Sequence, residues 1–243
     1  MSNNNAASLS LNGANALPKI RDDTVKMASE LINNFFQTAP EGILFGSTVL
    51  AIFTQNMAFF VLALAVLVFK LLNGVIGQFL LQIAPELYEG EVYGARQSCD
   101  FPFATLRKLE GLNSTLRNSA VPSSTTFVFL ATLFYMLACV HKFKDTLDIL
   151  KEKNPTHASV LTMSFIMTVL LTLSYIIWRK KTGCDSASVL LLTLGAAAAS
   201  GPLIAWVFEH IFGKSGVNLL GLPILERDIV NADGNIATCG SSA

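Results

Sequence analysis

The stretch Ile43–Phe69, ILFGSTVLAIFTQNMAFFVLALAVLVF, contains no charged residue. A bilayer core takes about 20 apolar residues of helix, so this run is long enough to cross one. Its middle holds Thr54, Gln55 and Asn56. Lipid offers such side chains no hydrogen bonds, so at mid-depth they must face protein or a cavity. They fit one long crossing with polar glue between helices, or two shorter segments meeting at the polar triplet.

Three further apolar runs follow, Thr126–Val140, Ser159–Trp178 and Ser186–Phe208. The 126–140 run reaches spanning length only with Ser123–Thr125 or the Phe143 region. Lys70 closes the first run, and Leu71–Ile83 is too short to cross alone. It reads as a half-buried interfacial helix or as the end of a tilted crossing. Charged residues are 14% of the 243-residue chain, against roughly 25% in soluble globular domains. Hydrophobic residues are 52%, and the mean hydropathy is +0.51. The expected fold is an all-α, multi-pass transmembrane helical bundle of about four spans.

The remaining organisation reads as follows. Residues 1–23 form a polar, disordered tail with no basic region ahead of an apolar core, hence no secretory signal. Asp22, Asp23 and Thr24 are helix-start residues at the head of residues 24–40, where Val25, Leu31, Ile32, Phe35 and Phe36 recur near helical spacing. They predict an amphipathic helix lying at the interface or packed on the bundle, broken before the first span by Pro40. The bundle occupies 41–212, with a polar insert at 85–121, and 213–243 form a peripheral tail. His141 and His157 flank a short polar helix between the second and third runs and read as solvated.

Net charge is zero, which leaves no basic field for nucleic acid. If each run crosses once, the 85–121 insert and the 179–185 turn share one face. Both terminal segments and the 141–158 connector share the other. Lys and Arg then divide almost evenly between the faces, so charge bias sets no orientation. The four cysteines (Cys99, Cys139, Cys184, Cys239) show no CxxC pair, which disfavours zinc. No metal or cofactor is expected. Cys99 and Cys184 fall on one face and are able to pair, but without a sign of an oxidising compartment the thiols read as free. The last span carries Gly195, four consecutive alanines, Ser200, Gly201 and Pro202, which predicts the closest helix packing in the bundle.

Three segments meet at one face: Glu89–Gln97, Pro122–Thr125 and Ser174–Asp185. Convergent loop ends are where a helical bundle builds a site. They read EGEVYGARQ, PSST and SYIIWRKKTGCD. In order and spacing they resemble the type 2 phosphatidic acid phosphatase superfamily of membrane lipid phosphatases, whose pattern is KxxxxxxRP, PSGH and SRxxxxxHxxxD. Arg96, Pro122, Ser123, Ser174 and Asp185 match. Glu89 and Gln97 stand for the first lysine and proline, Ser124 for glycine, Thr125 for one histidine, Tyr175 for arginine, and Lys181 for the nucleophilic histidine.

The resemblance implies a histidine that attacks phosphorus, a carboxylate that orients it, and a second histidine that protonates the leaving oxygen. None of the three segments contains a histidine. A cationic Lys181 is a poor nucleophile, Thr125 is no acid near neutral pH, and Glu89 repels phosphate. The expectation is therefore a retained frame with catalysis lost. Arg96, Lys181 and the helix start at Ser123, Ser124 and Thr125 would remain as an anion site for phospholipid headgroups. The competing reading is that these cations snorkel or pair with Glu89 and Asp185.

Degenerate lipid phosphatase-like membrane proteins of large DNA viruses share an Arg-containing loop, a following cysteine and a Pro-Ser helix start. That likeness implies a scaffold in a virion's internal membrane contacting the capsid, with the endoplasmic reticulum as the other candidate membrane. The expected partners are the lipid bilayer and proteins bound through the two tails. The alternatives are an active lipid-phosphate or polyprenyl-diphosphate phosphatase with displaced residues, and a small transporter or channel lined by Gln55, Asn56, Ser164, Thr168 and Thr172.

Overall fold

A computed structural model describes residues 5–83, 122–153 and 159–222. The described residues form six helices and no strand: α1 (Asn5–Thr54), α2 (Met57–Ile83), α3 (Ser124–Lys142), α4 (Lys144–Lys153), α5 (Val160–Lys181) and α6 (Ala187–Gly216). Segments Met57–Leu80, Ser124–Lys142, Val160–Lys181 and Ala187–Gly216 are long and apolar enough to cross a bilayer. The chain is an all-α bundle with the composition of an integral membrane protein.

The first apolar run is divided between two helices. Gln55 takes a left-handed φ of 52°. Asn56 starts α2 as a capping residue, its Oδ1 accepting from the Ala58 N–H at 2.9 Å, as short polar side chains do at helix starts. Only Gln55 and Asn56 separate α1 from α2, and the two helices pack together, so they run antiparallel as a hairpin. The 43–69 run is therefore two helices meeting at the polar pair, and Leu71–Ile83 is the second half of α2, whose segment 57–80 is long and apolar enough to cross.

The amphipathic segment 24–40 is not a separate helix, and the expected tail is helical from Asn5, because α1 is continuous to Thr54. Pro40 lies inside α1. An interior proline removes a backbone bond and costs about 3 kcal/mol. Burial of Phe36 and Leu44 on either side offsets that cost. The Phe36 ring lies 5.5 Å from Trp178 and 5.4 Å from Tyr175, against the last turns of α5. The part of α1 before Phe36 thus leaves the bundle at the Asp185 end, whereas the sequence pattern places it at the connector end.

The closest packing is between α3 and α6. A Cβ at Gly201 would lie 2.7 Å from the Tyr135 backbone nitrogen and 2.8 Å from the Ala131 carbonyl oxygen. The small residues of the last span therefore do what their pattern predicts on this side. At the far end, Lys142 Nζ donates to Glu209 Oε2 at 2.6 Å. Of the expected peripheral tail, 213–222 turn back onto the bundle, and 223–243 lie outside the described residues. Gly213 kinks the helix at φ 70°, and Val217 is fully buried. Asn218 then clasps Leu222, donating to its carbonyl at 2.6 Å and accepting from its N–H at 2.9 Å. The short polar helix after His141 is α4.

Candidate functional site

The site is built on the α5–α6 turn, Thr182–Ser186. Gly183 is left-handed, with φ 69°. Its N–H bonds the Lys180 carbonyl at 3.2 Å, and the Cys184 N–H bonds the Arg179 carbonyl at 3.1 Å. These two bonds make a Schellman stop, which needs a residue tolerant of positive φ. Ser186 then starts α6, its Oγ accepting from the Val189 N–H at 3.3 Å. The tight reversal turns Asp185 back toward the end of α5.

Arg179 meets it there. Arg179 Nε donates to Asp185 Oδ2 at 2.6 Å, and both side chains are almost wholly buried. Arg179 Nη2 also donates to Ser123 Oγ at 2.9 Å. The Thr126 hydroxyl donates to Asp185 Oδ2 at 2.8 Å and lies 3.2 Å from Ser123 Oγ. The guanidinium packs 5.8 Å from the Trp178 ring centre, a distance at which cation–π attraction acts.

Two further helices join the same cluster. The Ser123 N–H donates to Thr193 Oγ1 of α6 at 3.3 Å, and Lys70 Nζ of α2 donates to Ser124 Oγ. The segment Ser123–Thr126 therefore ties α2, α5 and α6 to the start of α3. Ser123 is the residue before α3, yet its side chain caps no backbone N–H, because its oxygen accepts from Arg179 instead. The Asp185 carboxylate, bonded to the third residue of the helix, supplies the negative charge that a helix N-terminus favours.

The buried charged residues among those described are Glu41, Lys70, Arg179 and Asp185. They balance, two of each sign. Glu41 lies as many positions before Thr54 as Lys70 lies after Met57, so hairpin geometry sets the two at one height. The Tyr175 hydroxyl is buried beside this cluster with no hydrogen-bond partner among the described residues.

Of the residues expected from sequence, Ser123, Ser124 and Asp185 meet here, with Pro122 and Thr125 buried beside them. Lys181 does not join the buried network; it is exposed in the last turn of α5, and Ser174 is also exposed. Arg96, Glu89 and Gln97 lie outside the described residues. Arg179 is the cation bonded to Asp185, and Arg179, Thr126, Thr193 and Lys70 were not expected at the site. The Asp185 spacing pointed to the turn, but no local pattern marks Arg179 as its partner.

Cys184 is disulfide-bonded, which corrects the expectation of a free thiol. Cys139 is free and buried, and Cys99 and Cys239 lie outside the described residues. Among the described residues, no group of His, Cys, Asp and Glu is arranged to hold a metal ion.

Comparison with protein-family models, with curated proteins and with solved structures finds no match.

Proposed function

We propose that this chain is a non-catalytic, multi-pass membrane scaffold whose frame resembles that of a lipid phosphatase lacking its catalytic histidines. The supporting observation is the state of Asp185. In the phosphatase family the matching carboxylate would orient a nucleophilic histidine. Here Arg179 Nε and the Thr126 hydroxyl both bond its Oδ2, and the residue in the nucleophile's place, Lys181, is exposed. A carboxylate held in this way fastens helices together. Among the described residues it has no imidazole to orient, and general acid–base catalysis is worth about 10²–10⁴-fold wherever it is lost.

The direct, buried pairing of Arg179 with Asp185 favours the structural role over a retained headgroup site. The likeness to viral lipid phosphatase-like proteins extends the reading to an internal virion membrane beside a capsid layer.

The test is phosphate release from phosphatidic acid and from a polyprenyl diphosphate by the purified protein in detergent. The reading predicts no release above a protein-free background. Release that disappears in Asp185→Ala or Arg96→Ala would establish an active phosphatase in its place.

A further inference from the structure

We propose that the second half of α1, residues 37–54, is a fifth membrane-crossing helix, with its outer face covered by lipid acyl chains. The hairpin of α1 and α2 reaches from one end of the bundle to the other. Phe36 lies against Trp178 and Tyr175 at one end of the bundle. At the other end, Gln55 and Asn56 turn the chain into α2. At 1.5 Å per residue the path from Phe36 to Thr54 is about 27 Å, close to the roughly 30 Å of a hydrocarbon core. It runs beside α2, which is itself long and apolar enough to cross. Lipid against one arm of a packed hairpin extends to the other arm at the same height.

The surface of α1 agrees. Phe45, Val49, Ile52 and Phe53 are 51%, 49%, 70% and 82% exposed, a run of large apolar side chains with no protein over them. Phe60 of α2 continues it at 52%. The exposed hydroxyls on this stretch are internally satisfied. Thr48 donates to the Leu44 carbonyl at 2.8 Å and Thr54 to the Leu50 carbonyl at 2.6 Å, as a lipid-facing helix requires.

The residue that makes the segment look unsuitable by composition is Glu41, and it is 0% exposed. It faces protein at the height of Lys70. Charged side chains within membrane helices turn inward in this way.

An added crossing reverses the side on which the first half of α1 lies. Residues 24–35, with Lys26 and Glu30, then share the face of Lys180, Lys181 and Asp185. The Gln55–Asn56 turn shares the face of α4.

The test is sidedness in sealed microsomal vesicles. Lys26→Cys, Gln55→Cys, Asp145→Cys and Lys181→Cys are made singly in a chain whose four natural cysteines are serine, and a membrane-impermeant maleimide is added before and after permeabilisation. The proposal predicts that 55 labels with 145, and that 26 labels with 181 from the opposite side. Labelling of 26 and 55 from one side would overturn it. Because loss of the Cys184 disulfide bears on folding, the question is also put to the chain with its natural cysteines. A protease site is inserted after Glu30 or at Gln55. Before permeabilisation one site is cut and the other protected; equal behaviour of the two sites contradicts the crossing.

Discussion

Arg179 and Ser123 are joined across two helices by a 2.9 Å hydrogen bond, and that bond explains why α3 begins without the usual side-chain cap. The serine oxygen is placed where it would cap the first turn, and it is used to satisfy a buried guanidinium instead. Capping serines are worth about 1 kcal/mol, and an unsatisfied charged donor costs more than that. Ser123→Ala should therefore destabilise the bundle by about 1.5–3 kcal/mol, measured as a lower unfolding midpoint in detergent. Ser186→Ala, which removes an ordinary cap, should cost about 1 kcal/mol.

Thr126 separates the structural role of the cluster from an anion-binding one. Thr126→Val keeps the side chain's shape and removes a donor to Asp185. The expected loss is about 1–3 kcal/mol of stability, visible without any added ligand. Lys181→Ala removes an exposed charge and should stay within about 0.5 kcal/mol of the unaltered chain. A larger loss for Lys181→Ala than for Thr126→Val would return the site to the anion-binding arrangement.

Two glycines of α6 make opposite predictions. At Gly201 an added methyl meets the backbone of α3 at Tyr135 and Ala131, which cannot move aside as a flexible side chain does. Gly201→Ala should cost about 1–3 kcal/mol by forcing the helices apart. At Gly195 nothing lies within 4 Å. Gly195→Ala should be neutral or stabilise by up to about 1 kcal/mol, since alanine favours helix. Unfolding midpoints of the two variants, side by side, check this.

Phe36 is the main anchor of α1 at the site end, with Phe129 6.3 Å away in addition to Tyr175 and Trp178. Phe36→Ala should cost about 3–5 kcal/mol. It should also raise proteolytic cutting in α1 more than in α6, read by mass spectrometry of limited digests. Equal loosening of both helices would mean that Phe36 is not a local anchor.

Most of the architecture was legible because apolar length dictates it. The division at Gln55–Asn56 was harder. Hydropathy averages across a two-residue turn, and no charge interrupts the sequence between Glu41 and Lys70. Asn56 was the available signal, as a capping side chain. Glu41 cut the apolar run short on the α1 side, because composition does not reveal that this charge is buried. Arg179 was hidden for a related reason. Within Trp178-Arg179-Lys180-Lys181 all three cations look alike, and only the helical phase of α5, set by packing on α3, turns one inward. Asp185 was located by spacing, while its partners follow from the Gly183 turn and the α3–α6 contact, which are tertiary. The C-terminal fold-back at Val217 follows from the Gly213 kink, which a Gly-rich sequence does not distinguish from a loose tail.

The central claim is that the Arg179–Asp185 pair is a structural clasp, and a double-mutant cycle tests it most directly. Unfolding midpoints would be measured for Arg179→Met, Asp185→Leu and the double variant in the same detergent. The account predicts that each single change costs about 3–5 kcal/mol, because it strands a buried charge, and that the double variant recovers most of that loss. Single changes as mild as Lys181→Ala, or losses that simply add in the double variant, would contradict it.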